Sequence, residues 1–99
     1  MIRSFRDRGT EDVFNGVDSR AARKVCPRHL CRIARNKLDR LDDAEQLRDL
    51  AVPPGNRLEA LKGRRAGEHS IRVNEQYRIC FTWHDDGGAT DVEIVDYHD

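Results

Sequence analysis

The most constraining feature of this 99-residue chain is the alternation that begins at Tyr77 and breaks at Asp85-Asp86-Gly87-Gly88. Tyr77, Ile79, Phe81 and Trp83 share one phase, and Arg78, Cys80, Thr82 and His84 the other. A period of two is the signature of a strand with one buried face. The Asp-Asp-Gly-Gly run supplies a hairpin turn, because glycine takes positive φ without steric cost. Beyond it, Val92, Ile94, Asp96 and His98 fall on one side of a last strand, and Glu93, Val95 and Tyr97 on the other. Two strands and a tight turn over residues 77–98 therefore commit the chain to antiparallel sheet.

Two more strands are expected upstream. Asn56 to Lys62 alternates weakly, and His69, Ile71 and Val73 alternate with Ser70, Arg72 and Asn74. Gly63-Arg64-Arg65-Ala66-Gly67 is the loop between them, and Asn74-Glu75-Gln76 the turn that follows. Pro53-Pro54-Gly55 closes off everything earlier, since such a string marks a turn and not an element.

The first half reads as helix. Thr10 is a plausible cap before Glu11 and Asp12, and Asn15-Gly16 stops that helix after two turns. Ser19 to Val25 is compatible with helix or loop. Pro27 suits the first turn of a helix. From it, Leu30, Ile33, Ala34, Leu38 and Leu41 make one apolar stripe ending at Leu41. Arg28, Arg32, Arg35 and Arg40 lie off the stripe, on a solvated or RNA-binding face. Asp42 to Leu50 adds a short turn of helix, and residues 1–6 a short first strand. Helices followed by a meander make an α+β domain, its N-terminal helices packed on one face of a small antiparallel sheet. The length suits one domain, residues 1–99.

Composition narrows the class. Apolar residues make up 37% and charged residues 36%, so the core is small and the surface densely charged. No run approaches the ~18 apolar residues of a membrane span, and the opening residues resemble no signal peptide, so a cytoplasmic location is expected. Cys26, Cys31 and Cys80 match no zinc or disulfide spacing and read as reduced thiols. The net charge of zero conceals segregation: residues 1–41 hold eleven Lys and Arg against five acids, and residues 85–99 hold six acids and no Lys or Arg. Such a chain presents local basic surface to an anionic partner.

Four residues give that surface a focus. Lys62, Arg64, Arg65 and Arg72 surround the glycine-flanked loop, and clustered cations attract a nucleic-acid backbone. Arg78 shares the strand of the large apolar residues but faces away from them. A cation in a central strand needs a partner, because a lone buried charge is costly. It is either salt-bridged to Asp96 or Glu93, or part of a phosphate site on the far face. Asp96-Tyr97-His98 is either a frayed polar end or a proton-transfer group, since histidine titrates near neutrality and a carboxylate can fix its tautomer. The histidines are scattered, with no metal-ligand spacing, and no phosphate loop or nucleophile elbow occurs. RNA cleavage without a metal needs only proton transfer and charge stabilisation, because the 2′-OH is an internal nucleophile.

Leu58-Glu59-Ala60-Leu61-Lys62-Gly63, Arg65, Gly67, Ser70-Ile71-Arg72-Val73-Asn74, Tyr77-Arg78-Ile79 and Val92 through His98 together resemble the HigB-type toxins of the RelE/ParE superfamily. Lys37-Leu38-Asp39-Arg40-Leu41 is similar to the family's second helix. The resemblance implies a RelE-like microbial RNase fold and a ribosome-dependent mRNA interferase that cuts codons in the ribosomal A site. It implies no cofactor. The partner would be a HigA-like helix-turn-helix antitoxin, with operator DNA reached only through it. Lys62, Arg78, Asp96, Tyr97 and His98 match positions that the family uses at its cleavage site, and Arg65 its basic-loop arginine. On that basis His98 and Lys62 would share the proton transfers, and Arg78 with Arg65 would hold the phosphate. Asp96 would orient His98, and Tyr97 would contact a nucleotide. Two departures stand out: Glu59 lies where some members have histidine, and Arg64 replaces an Asp or Asn. Gyrase inhibition, as in the ParE branch, and non-catalytic binding on the same fold are the alternatives.

Overall fold

The computed structural model describes residues 1–97, and its framework is the expected hairpin. Strand β3 (Tyr77–His84) pairs antiparallel with β4 (Gly88–Asp96) across a turn in which Gly87 has φ 92°. The register shifts between Cys80 and Thr82, and β4 accommodates the extra residue with Asp91 at φ 54°. Such a bulge bends the strand and keeps both apolar rows on one face. Ile79, Phe81, Ala89, Val92 and Ile94 are all buried there.

Strand β2 (His69–Arg72) pairs with β3, and β1 (Glu59–Ala60) with β2, giving the order β1-β2-β3-β4. The first strand is far shorter than the expected span from Asn56 to Lys62. Arg57 takes a left-handed conformation at φ 45° just before it, and the chain leaves it through a 3-10 turn at Gly63–Arg65. Residues 1–6 are likewise not a full strand. They touch β4 through two parallel bridges, Ile2 to Ala89 and Phe5 to Val92.

Helices α1 (Arg8–Asn15), α2 (Arg20–Val25) and α3 (Cys31–Asp43) cover one sheet face. The cap of α1 is Asp7, not Thr10: an Asp7 carboxylate oxygen accepts the Thr10 N–H at 2.6 Å. Thr10 is instead fully buried, and its hydroxyl donates to Asp7 at 3.1 Å while accepting the Ile94 N–H at 3.0 Å. A polar side chain thus stitches α1 to β4 inside the core. Gly16 ends α1 in the left-handed conformation, as its sequence predicts, and Ser19 caps α2 by accepting the Ala22 N–H at 3.0 Å.

After Pro27 the chain makes a 3-10 turn at Arg28–Leu30, and α3 begins only at Cys31 and runs past Leu41 to Asp43. Leu30, Ala34, Leu38 and Leu41 are buried against the sheet, but Ile33 is 43% exposed. At about 100° per residue, Ile33 lies a quarter-turn or more from Ala34 and Leu38, on the flank of the buried stripe. Beyond α3, a 3-10 turn at Leu47–Ala51 buries Leu50. The buried Asn56 amide donates to the Leu50 carbonyl at 3.2 Å and the Val52 carbonyl at 3.3 Å, and its oxygen accepts from Lys37. That knot satisfies the polar groups of the crossing from helices to sheet. Among the described residues no helix is long and apolar enough to cross a membrane.

Candidate active site on the open sheet face

Strand alternation sorts the site residues by face. Glu59 pairs with Ser70, Ser70 with Cys80, and Cys80 with Glu93; Arg72 pairs with Arg78, and Arg78 with Val95. Directly paired residues point to the same side of a sheet, so all of these share the face that the helices leave open. Asp96 pairs with Tyr77, one position out of phase. Its carboxylate therefore emerges on the helix side, where the Gln76 amide donates to both oxygens at 3.2 Å.

Arg78 sits in the middle of the open face with its side chain 18% exposed. Its Nη1 is 3.5 Å from a Glu59 carboxylate oxygen and 3.4 Å from the Ser70 hydroxyl. The guanidinium carbon stands 5.2 Å from the centre of the Tyr97 ring, within the range of a cation–π contact. The Tyr97 main chain is tied to the turn that precedes β3, its N–H donating to the Gln76 carbonyl at 2.7 Å. The anionic partner of Arg78 is thus Glu59, not Asp96 or Glu93. Asp96 faces the wrong way, and Glu93 is engaged by Arg65 at 3.0 Å and Arg6 at 3.4 Å.

Arg72 lies directly across from Arg78. Its Nε donates to the Asn74 carbonyl at 3.1 Å, and its Nη2 is 3.9 Å from Glu75. Two cations opposite one another repel unless an anion sits between or beside them. The pair Arg72–Arg78 concentrates positive charge on the open face, with Glu75 beside one cation and the half-exposed Glu59 beside the other. Lys62 and Arg64 are exposed on the neighbouring loop and turn.

Arg65 behaves differently from these two. Its Nη1 is 3.1 Å from Glu68 and its Nη2 3.0 Å from Glu93, so both ends of its fork hold carboxylates. Burial works against its charge, but the hydrogen bond to Glu93 and the negative neighbours outweigh that, and its pKa is raised. Cys80, paired with Glu93 across the ladder, is fully buried. Burial, partly opposed by the Arg65 charge, pushes its thiol up to about 11.

The structure thus brings Arg78, Arg72 and Tyr97 together on one face with Lys62 and Arg64 on the adjoining loop. It sets Asp96 on the other face and ties Arg65 into ion pairs. His98 lies outside the described residues. In the sequence Glu59 stands out only as a departure from the family pattern, and its pairing with Arg78 is visible only in the structure. The available signal was its phase, since Glu59 shares a face with Arg78 once the two intervening strand registers are known.

Residues 3–98 match the HigB-like toxins, described as the RelE-like toxin of type II toxin-antitoxin system HigB. The chain belongs to that family. Toxin HigB-1 of Vibrio cholerae is 40% identical over 85 residues, covering 86% of each chain. An uncharacterized protein of Haemophilus influenzae is 39% identical over 57 residues, covering 58% of this chain and 56% of its own. As a HigB-like toxin of a type II system, the chain has an antitoxin as its partner.

Proposed function

We propose that this HigB-like toxin is a ribosome-dependent mRNA endonuclease, acting in the cytoplasm on mRNA in the ribosomal A site and neutralised by a HigA-like antitoxin. The observation that carries this reading is Arg78, a cation held on the open face by Glu59 and Ser70 and stacked on Tyr97. A planar guanidinium grips two phosphate oxygens at once. Arriving phosphate would displace Glu59 from Arg78, so the carboxylate is left beside the ribose.

The chemistry follows from those groups. The 2′-oxygen attacks the adjacent phosphorus as its proton leaves, and the bond to the 5′-oxygen breaks as that oxygen gains a proton. Glu59 and His98 are the acceptors for the first proton, and the Lys62 ammonium is a donor for the second. Arg78 stabilises the charge that develops on the phosphoryl oxygens, a contribution of about 3–4 kcal/mol where a preorganised donor is removed. Tyr97 stacks with Arg78 and offers its free side to a base. Asp96 acts in this reading through His98, as the residue that orients it. Arg64 and Arg72 attract the RNA backbone.

The experiment is controlled expression with mapping of mRNA 5′ ends, beside an Arg78→Ala, His98→Ala double variant. New ends that appear only with the parent protein support the nuclease reading. Growth arrest with unchanged mRNA refutes it and directs attention to DNA gyrase. Purified protein added to naked mRNA and to translating ribosomes tests the ribosome requirement; equal cleavage of both removes it.

A further inference from the structure

We infer that Arg65 and Glu93 form a clasp that positions the basic loop, so that Arg65 is a positioning residue and not a phosphate ligand. This rests on the nuclease reading only for its kinetic consequence. The geometry is that of a closed network. One Glu93 oxygen receives Arg65 Nη2 at 3.0 Å and Arg6 Nη1 at 3.4 Å, while Arg65 Nη1 reaches Glu68 at 3.1 Å. The side chains of Arg65 and Glu93 are only 29% and 18% exposed. Phosphate capture by Arg65 would have to break two partly buried ion pairs. Lys62 and Arg64 have no ion pair among the described residues and need break none.

The loop's backbone hydrogen bonds are internal to it and to its base. Gly63 and Gly67 both have positive φ, and a Cβ built at either would meet nothing within 4 Å. No packing around those two positions fixes where Lys62 and Arg64 point. Leu61 N–H to Glu68 and Glu68 N–H to Arg65, both at 2.9 Å, close its base, and Arg65 N–H to Lys62 at 3.3 Å and Ala66 N–H to Gly63 at 3.1 Å tighten the turn within it. Above that base, the attachment to the sheet runs through Arg65 and Glu93. Cys80 pairs with Glu93 across the ladder, is fully buried on the same face and feels the charges of Arg65 and Glu93, so the clasp is placed to shield it.

Glu93→Gln, Arg65→Ala and the double variant test this in two independent ways. Alkylation of Cys80, followed by peptide mapping, should accelerate at least tenfold in each single variant and no further in the double. That readout does not need cleavage, so it stands or falls apart from the nuclease reading. Arg65→Lys keeps the charge but cannot bridge both carboxylates, and should accelerate alkylation several-fold even if the other variants fold poorly. In single-turnover cleavage on programmed ribosomes, the clasp variants should raise KM more than they lower kcat, with non-additive effects in the double. The logarithmic salt slope of RNA binding should fall by about 0.7 in Arg64→Ala, as expected for one lost contact to single-stranded phosphate, but not in Arg65→Ala. A salt slope lowered by Arg65→Ala, or unchanged Cys80 alkylation in every variant, would overturn the clasp.

Discussion

Replacing Glu59 by Gln separates two jobs that one carboxylate is proposed to do. In the free protein its charge lies 3.5 Å from Arg78. Between effective dielectric constants of 20 and 80, two unit charges at that distance attract by about 1–5 kcal/mol. Glu59 is 48% exposed, so solvent screening reduces the net value to about 1 kcal/mol or less. A phosphate that no longer competes with this anion should therefore bind up to about fivefold tighter. Cleavage should move the other way, because losing a general base slows proton transfer by about 10²–10⁴-fold. One substitution is thus expected to tighten binding and slow chemistry. Binding is measured on ribosomes programmed with 2′-O-methylated mRNA, which cannot react, and cleavage in single turnovers on the unmodified message. Tighter binding with unimpaired cleavage would leave Glu59 as a counter-ion alone. Weaker binding would refute the whole placement of phosphate at Arg78.

Two further expectations concern the scaffold. Thr10→Val keeps the shape of a buried side chain but leaves the Ile94 N–H without its acceptor at 3.0 Å. The loss should be about 2 kcal/mol in urea unfolding, or roughly 8–16 °C in Tm for a domain of this size, and Thr10→Ser should restore most of it. A loss under about 0.5 kcal/mol would show that the hydroxyl does not carry the link between helix and strand. Burial raises the Cys80 thiol from 9.0 to about 11 and the Cys26 thiol from 9.0 to about 12. Both thiols stay neutral in the folded state at pH values where the unfolded chain has ionised them. Their contribution is complete below about pH 9 and is lost as pH rises through the folded values. The urea midpoint should fall over that interval, less so in Cys80→Ala, and the half-buried Cys31 should alkylate first below pH 9.

Legibility followed the range of the forces involved. The third strand was readable to the residue, because alternation and turn chemistry act over a few neighbours and nothing distant opposes them. Arg78 could be assigned to a face for the same reason. Its partner could not, since Glu59 reaches it only across two strand registers. Ile33 fitted a three- and four-residue spacing yet points to solvent, because the stripe is narrower than the list of apolar residues near it. Thr10 was mistaken for a cap since Asp7 and Thr10 are both good cap residues, and only the burial of Thr10 against β4 separates them. Arg65 looked like its basic neighbours Lys62 and Arg64. Two acids, one three residues away and one on the last strand, hold its guanidinium in ion pairs that those neighbours lack among the described residues.

The order of the layers along the chain bears on when this protein becomes active. All three helices precede Pro53, whereas the strands that receive their apolar stripe, including Phe81, Val92 and Ile94, come from the second half. During synthesis at about 5–20 residues per second, the helices emerge seconds before any surface exists to cover Ala34, Leu38 and Leu41. Thr10 waits for Ile94, and Arg6 for Glu93. The helices can pack on one another before then, but the sheet that completes their core is absent until β4 is made. A toxin so arranged completes its core and its open sheet face only once β4 is made, and a chain cut short before β4 has neither.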